Sequence, residues 1–172
     1  MPESPASAVF IFTDLEDSTQ LWEEHPRAMS RALARHDDLL RRTLERHGGR
    51  VFKSVGDGFC AVFESADRAV AAAVEAQRRL SREAWKGLAP LRARMALHAG
   101  PAERRSHDYF GPTLNRTARI LAAGHGGQIL LSAAVERLAR PGLPADVALR
   151  DCGEVQLKDL SRPERLFQLV IV

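Results

Sequence analysis

Two β-prone runs between Arg50 and Phe63 are separated by the short segment Gly56-Asp57-Gly58. Glycines accept the unusual backbone dihedrals that a tight turn needs, and an acid between them stands at the tip of that turn. The pattern predicts a β-hairpin, which places an antiparallel strand pair in the middle of the chain. An acid between turn glycines usually reflects turn chemistry, so Asp57 alone identifies no function.

Strand-like and helical segments alternate on both sides of this hairpin. The apolar run 8–12 predicts a strand buried on both faces, and Asp14 falls where that strand is expected to end. Apolar residues at helical spacing, together with glycine and proline breaks, predict the following elements in order: a helix over 18–47 interrupted near Pro26, a helix over 66–85 and a strand over 91–99.

The last third of the chain continues the pattern. Residues 102–107 are short and polar, which favours a loop. A helix is expected over 113–123, with Leu114, Ala118 and Leu121 on one face and with Asn115 and Arg119 together on another. The remaining expected elements are a strand over 128–131, a helix capped by Ser132, and a strand pair over 147–157 and 165–172.

The order of elements predicts an α+β fold. We expect a ferredoxin-like βαββαβ core sandwich with additional C-terminal strands, in which helices pack on a mainly antiparallel sheet. A chain of 172 residues suits one domain, here residues 8–172 after a short N-terminal tail at 1–7.

Composition narrows the setting of the protein. No apolar stretch approaches the roughly 20 residues of a membrane span, and residues 1–7 lack the basic start of a secretory signal, so we expect a cytoplasmic protein. The net charge of +3 is spread over faces that alternate in sign, which argues against a nucleic acid partner. Cys60 and Cys152 are too few for a disulfide framework and are expected to be reduced.

Asp14 and Asp57 form the first candidate pair. Two carboxylates at adjacent strand ends offer the hard oxygen ligands that Mg²⁺ or Mn²⁺ prefers, and a two-metal site can serve an in-line phosphoryl displacement. The pair is a weak signal when it is taken alone.

Several motifs in order resemble the class III nucleotidyl cyclases, specifically the bacterial branch with a short dimerisation arm. The resemblance runs from about Val9 to Leu169. It rests on these segments: Phe12 to Thr19, Lys53 to Gly58, Arg94 to Gly100, Asp108 to Arg119, Gly153 to Leu160 and Pro163 to Phe167.

The resemblance implies a homodimer with two composite sites at its interface, so that a monomer would be inactive. One protomer would hold two Mg²⁺ or Mn²⁺ ions through Asp14, Asp57 and the backbone carbonyl of Leu15. Arg94 of the same protomer would contact the triphosphate. A sensor or output domain is an expected partner if the chain belongs to a longer protein.

The other protomer would supply the remaining groups. Lys53 and Asp108 match the pair that reads adenine, Asn115 would orient the ribose, and Arg119 would stabilise charge on the α-phosphoryl group. Lys158 would help to neutralise the departing pyrophosphate. The resemblance therefore implies an adenylate cyclase that converts ATP to 3′,5′-cyclic AMP and pyrophosphate.

The residues leave alternative functions open. Asp17 stands where the family usually has glycine, and its charge near the phosphate path is expected to lower activity or to favour Mn²⁺. The alternatives are a nucleotide-binding dimerisation or regulatory module with little turnover, or a cyclase that uses GTP or a pyrimidine triphosphate. His98, on an apolar strand, is expected to be a hydrogen-bonded core histidine and not a ligand.

Overall fold

The computed structural model describes residues 8–172, so the expected tail at 1–7 lies outside the described residues. The strands are β1 (Ala8–Leu15), β2 (Arg50–Val55), β3 (Gly58–Phe63), β4 (Ala93–Gly100), β5 (Glu103–Arg105), β6 (Asp108–Phe110), β7 (Ile129–Ser132), β8 (Val147–Val155) and β9 (Glu164–Ile171). The helices are α1 (Ser18–Glu24), α2 (Pro26–Arg46), α3 (Ala66–Arg82), α4 (Pro112–Ala122) and α5 (Ala133–Ala139), followed by a 3₁₀ turn over Arg140–Gly142.

Seven strands form one sheet in the order β2-β3-β1-β4-β7-β9-β8. Only the β4–β7 pair is parallel, and the other pairs are antiparallel. The first four strands with the helices between them make the ferredoxin-like βαββαβ core, and β7, β9 and β8 extend its edge. The predicted fold class is confirmed.

The two faces of the sheet are covered differently. Val9 and Ile11 of β1 and Leu97 of β4 belong to the main core, which α2 and α3 close from one side. Ala96, the neighbour of Leu97, points to a smaller core under α4 on the opposite side. Asp14 of β1 and Arg94 of β4 lie on that second face, and each keeps about a quarter of its side chain exposed.

The buried face of α4 differs from the expected one. Thr113, Thr117 and Ile120 are buried, whereas Ala118 is exposed and Leu114 only half-buried. Each threonine hydroxyl finds an acceptor nearby, Thr113 Oγ1 at the Pro101 carbonyl and Thr117 Oγ1 at the Thr113 carbonyl, at 2.6 Å and 2.7 Å. Threonine therefore packs against the sheet here without leaving a hydroxyl unpaired.

The expected loop at 102–107 is wrong in part. Residues Glu103–Arg105 form β5, which pairs with β6 as a separate two-stranded hairpin. Ser106, at the bend, has a left-handed backbone with φ of 56°. The hairpin is polar and short, so its own sequence carries no apolar alternation, and contacts with the sheet hold it in place.

Other boundaries moved by a few residues. β1 continues to Leu15, one residue beyond the expected end at Asp14. Asp14 is therefore part of the strand and pairs with Arg94 of β4. The expected interruption near Pro26 is confirmed, since α1 ends at Glu24 and α2 begins at Pro26. None of the helices within residues 8–172 combines the length and apolar character that crossing a membrane requires.

Candidate active site

Asp14 and Arg94 face each other across the β1–β4 pair on the accessible side of the sheet. Arg94 Nε donates to Asp14 Oδ1 at 2.7 Å, and Nη2 donates to Oδ2, so the guanidinium holds both carboxylate oxygens. The hydrogen bond that Arg94 donates to Asp14 raises the pKa of Arg94, burial opposes this, and the charges of Asp14, Glu16 and Asp57 add to the rise. Asp14 therefore contacts the guanidinium, and Glu16 and Asp57 add negative charge to the same corner.

Asp57 lies beside this pair because the β2–β3 turn reaches the end of β1. A Cβ atom added to Gly58 would lie 3.8 Å from the Cβ of Asp14 and 2.7 Å from the Thr13 carbonyl oxygen. A side chain at Gly58 would thus collide with β1, and glycine lets the turn approach. The predicted pair Asp14 and Asp57 is brought to neighbouring strand ends.

The donor set of this corner fits a hard divalent cation. Asp14 and Asp57 supply carboxylate oxygens, Leu15 follows as the last residue of β1, and the local charge already attracts a guanidinium. Within residues 8–172, no group of three or more His, Cys, Asp or Glu side chains could hold a metal ion, so side chains alone do not complete a site here. The fit thus depends on two carboxylates and the backbone carbonyl that was expected to join them.

Lys53 and Asp108 form a second group, on the same side of the sheet as Asp14. Lys53 Nζ lies 3.5 Å from Asp108 Oδ2, and about half of the Lys53 side chain remains exposed. Asp108 Oδ1 accepts from the backbone N–H of Tyr109 at 2.8 Å. A charged donor and a charged acceptor are therefore adjacent and still open to a ligand.

Cys60 lies next to this group. The sequence predicted only that its thiol is reduced and gave no sign of this position. It pairs with Lys53 in the β2–β3 register and with Phe12 in the β1–β3 register. Burial raises the pKa of Cys60 to about 11, while the charge of Lys53 lowers this pKa and the charge of Asp108 raises it by smaller amounts. The thiol is thus neutral at physiological pH, and Cys60 and Cys152 are both free.

The third group lies on α4 and the β8–β9 connection. Asn115 is exposed, and Arg119 follows one helical turn later with about a third of its side chain exposed. Arg119 Nη2 donates to Asp159 Oδ2 at 3.0 Å, and Lys158, the neighbour of Asp159, is exposed. The expected shared direction of Asn115 and Arg119 agrees with their positions on the outer side of the helix.

Each of these groups is ion-paired internally, Asp14 with Arg94, Lys53 with Asp108 and Arg119 with Asp159. Among the described residues, no ion pair joins the corner of Asp14 and Arg94 to the pair Lys53 and Asp108, or either of them to Arg119. One protomer therefore presents the predicted groups as three clusters.

His98 is buried on β4 as expected, but its predicted hydrogen bonding is wrong at one nitrogen. Nδ1 is buried and has no hydrogen-bond partner among the described residues. Burial lowers the pKa of His98 to about 4, and the charge of Arg116 on α4 adds to the lowering. Arg116 itself donates to Glu164 at 2.8 Å.

A cleft of about 500 Å³ lies elsewhere, between α2 and α3, with Arg35, Glu75 and Arg79 in its lining. It contains none of the predicted site residues. Arg35 is held by Glu83 and Arg79 by Glu75, so these arginines are largely neutralised by their neighbours.

Comparisons with known proteins show the family of this chain. The family model described as the adenylate and guanylate cyclase catalytic domain matches residues 2–170. An uncharacterized protein of Mycobacterium tuberculosis (strain ATCC 25618 / H37Rv) is 41% identical over 165 residues, which are 95% of this chain and 55% of that protein. The chain thus spans about half the length of the mycobacterial relative.

Two further relatives are named as cyclases. An adenylate cyclase of Podospora anserina is 30% identical over 228 residues, which cover 98% of this chain and 10% of that protein. A structure of an adenylate cyclase of Trypanosoma brucei, described in its monomeric state, superposes with a TM-score of 0.86 and 26% identity, covering 98% of this chain and 91% of that chain.

Proposed function

The chain belongs to the family of adenylate and guanylate cyclase catalytic domains, and from that premise we propose that it is an adenylate cyclase, which converts ATP to 3′,5′-cyclic AMP and pyrophosphate. The observation that carries the choice of ATP is the adjacency of Lys53 and Asp108 at 3.5 Å. Both side chains are partly exposed, so a base can reach them.

A lysine donor and an aspartate acceptor match the edge of adenine. The ammonium of Lys53 suits the acceptor N1, and the carboxylate of Asp108 suits the exocyclic N6 amino group. Guanine presents the reverse pattern at these atoms, so it would leave both groups unmatched. Each buried polar group without a partner costs about 1–3 kcal/mol, which is enough to select one purine.

The phosphates would meet arginines from two directions. Arg94 already holds both oxygens of a carboxylate, and the same planar fork suits phosphate oxygens. Arg119 would stabilise charge on the α-phosphoryl group as the ribose 3′-hydroxyl attacks, with Asn115 orienting the ribose one turn away. Lys158, exposed beside the same helix, would face the departing pyrophosphate.

Asp14, Asp57 and the Leu15 carbonyl would hold two Mg²⁺ or Mn²⁺ ions, in agreement with the acidity of that corner. When bound, such ions act as Lewis acids on phosphate oxygens and lower the pKa of the attacking hydroxyl. Asp14 and the Leu15 carbonyl would bind from the end of β1, and Asp57 would bind from the adjoining β2–β3 turn.

We propose a homodimer with two composite sites, because no ion pair joins the three groups within the described part of one chain. One protomer would contribute Asp14, Asp57 and Arg94 to a site, and its partner would contribute the base-reading pair and α4. A monomer would then hold only parts of two sites. We place this dimer in the cytoplasm, where two free thiols are stable. The chain spans about half of its mycobacterial relative. If the chain likewise belongs to a longer protein, we propose a sensor or output domain as its partner.

The test is incubation of the purified protein with ATP, GTP, CTP or UTP, each with Mg²⁺ or Mn²⁺, and identification of products by mass spectrometry. We expect cyclic AMP, and we expect Asp57→Ala to abolish it. Another cyclic nucleotide as the main product would overturn the assignment of the base. If cyclic AMP is the product, Lys53→Glu should lower kcat/KM for ATP by at least about tenfold and affect kcat/KM for GTP less, because the substitution reverses the charge that faces adenine N1.

A second candidate is a nucleotide-binding regulatory module with little turnover. Asp17 motivates it, since this exposed carboxylate stands directly before α1 and close in sequence to Asp14 and Glu16. The contact of Asp159 with Arg119 adds a second acid near the phosphate path. Saturable ATP binding without any cyclic product would favour this reading.

A further inference from the structure

The aromatic ring of Tyr109 fastens the β5–β6 hairpin to the main sheet. Its centroid lies 5.4 Å from that of Phe10 on β1 and 4.9 Å from that of Phe52 on β2, with the rings inclined at 73° and 65°. Phe10 and Phe52 also meet edge to face, at 6.0 Å. The three rings pack edge to face on one another and make a small apolar cluster. Such aromatic pairs stabilise a fold by more than the area they bury would give.

The hydroxyl of Tyr109 is also engaged. Arg50 Nη2 donates to it at 2.8 Å, and the guanidinium carbon of Arg50 lies 5.5 Å from the ring centroid. Arg104, the cross-strand neighbour of Tyr109 on β5, lies 6.0 Å from the same centroid. The Tyr109 side chain is therefore held at both its ring and its hydroxyl.

A bulge in β2 brings two successive residues to this hairpin. Val51 pairs with Ala61 and Lys53 pairs with Cys60, so Phe52 is an extra residue without a cross-strand partner. Alternation along a regular strand would send Phe52 and Lys53 to opposite faces. With the bulge, Phe52 meets Tyr109 and Lys53 meets Asp108, because a bulge re-aims side chains locally.

The two contacts therefore form adjacent rungs between β2 and β6. One rung is apolar, Phe52 with Tyr109, and the other is ionic, Lys53 with Asp108. The carboxylate of Asp108 is further held by the Tyr109 backbone N–H at 2.8 Å. An exposed ion pair at 3.5 Å cannot hold a short polar hairpin, so the apolar rung determines where the carboxylate stands.

We propose that Tyr109 is a positioning residue for base selectivity: its ring, seated on Phe10 and Phe52, holds Asp108 at the distance from Lys53 that matches adenine. The inference deepens the proposed function and rests on it. Tyr109 need not touch the nucleotide, because it acts through Asp108. Loss of the ring would free the carboxylate to move, and the pair would then read adenine and guanine less differently.

The experiment compares Tyr109→Phe and Tyr109→Leu with the wild-type protein. For each, the dissociation constants of ATP and GTP are measured by displacement of a fluorescent nucleotide, together with kcat and KM for cyclic product. Tyr109→Leu should lower the preference for ATP over GTP by about tenfold, mainly through KM and the dissociation constant for ATP. Tyr109→Phe keeps the ring and should stay within about threefold of wild type.

Phe110→Leu is the matched control, because the next residue is also aromatic but is 41% exposed and lies outside the three-ring cluster. It should keep the wild-type preference. Hydrogen exchange over residues 103–110 should rise in Tyr109→Leu only. If Tyr109→Leu does not fold, Phe52→Leu removes the other half of the apolar rung and should show the same loss of preference.

Faster exchange in Tyr109→Leu with an unchanged preference would overturn the inference, since Tyr109 would then stabilise the hairpin without positioning Asp108. A wild-type protein that binds ATP and GTP equally would overturn it too. A wild-type protein that binds ATP selectively but forms no cyclic nucleotide would overturn the proposed function alone, and the binding comparison would still decide the role of Tyr109.

Discussion

Arg119 on α4 donates a hydrogen bond of 3.0 Å to the carboxylate of Asp159 in the β8–β9 connection. Asp159 adopts a left-handed backbone with φ of 61°, a conformation that glycine adopts without strain and that aspartate tolerates better than most residues. The arginine proposed to stabilise the α-phosphoryl group is therefore already engaged by a carboxylate of its own chain. A phosphate oxygen would have to replace that carboxylate.

Removing the charge of Asp159 should raise activity. Asp159→Asn keeps a residue that accepts the left-handed backbone and frees Arg119 from an ionic partner. Both side chains are partly exposed, so the gain is limited to the 0.2–1 kcal/mol typical of surface pairs, or at most about fivefold in kcat/KM for ATP. Initial rates of cyclic AMP formation measure it. Asp146→Asn, which breaks the remote pair with Arg78, should leave the rate unchanged.

A similar argument applies to Asp17, which also has a left-handed backbone, with φ of 59°, directly before α1. Its side chain makes no capping hydrogen bond, so the helix gains little from it. Asp17→Gly should raise kcat/KM for MgATP about two- to fivefold, because it removes a negative charge near the phosphates. Asp17→Asn should give most of this gain, since charge is the main cause. A decrease in both variants would contradict the argument.

Most of the fold follows from local patterns in the sequence. Glycine-flanked Asp57 marks the central hairpin, and Pro26 marks the boundary between two helices, because turn glycines and proline act on the backbone of their own segment. The β5–β6 hairpin was missed for the opposite reason. Its anchor, Tyr109, packs against Phe10 and Phe52, which are distant in sequence.

The site was predictable as a set of residues but not as an arrangement. The resemblance identified Lys53 with Asp108 as a pair, and the structure brings them within 3.5 Å. The bond between Arg119 and Asp159 had no local signal, since 40 residues separate the two. Nor did the sequence indicate that Nδ1 of His98 would be buried without a partner, because burial depends on how α4 lies on the sheet.

His98 gives a prediction about pH. Burial lowers the pKa of His98 from 6.5 to about 4. Between these pH values the His98 ring is neutral in the folded protein and protonated in the unfolded chain. The unfolded state thus binds more protons between these values, and the free energy of unfolding falls as the pH is lowered through this range. One such group contributes about 1.4 kcal/mol per pH unit, or up to about 3 kcal/mol in all.

The measurement is urea unfolding of the wild-type protein and His98→Leu between pH 7 and pH 4. The difference between the two should change in favour of the variant as the pH falls, because leucine accepts no proton. Carboxylates titrate in both proteins and cancel in the comparison. His107→Leu, which removes an exposed ring, should follow the wild-type profile. Parallel profiles for wild type and His98→Leu would show that the buried ring is not the cause.

Complementation between inactive variants tests whether the sites are composite. Asp14→Ala removes a proposed metal ligand, and Asn115→Ala removes the group that would orient the ribose, so each homodimer should be inactive. Random exchange of protomers makes half of the dimers mixed, and each mixed dimer has one intact site of two. An equimolar mixture should therefore regain about a quarter of the wild-type specific activity.

The control for that experiment is a mixture of Asp14→Ala with Asp57→Ala. Both changes fall on the metal-binding side of the same proposed site, so every mixed dimer would carry one defect in each site and should stay inactive. Recovery must also depend on protein concentration, because it requires association of protomers. If Asp14→Ala with Asn115→Ala shows no recovery while size-exclusion chromatography finds mixed dimers, Asp14 and Asn115 serve the same protomer's site and the composite arrangement is wrong.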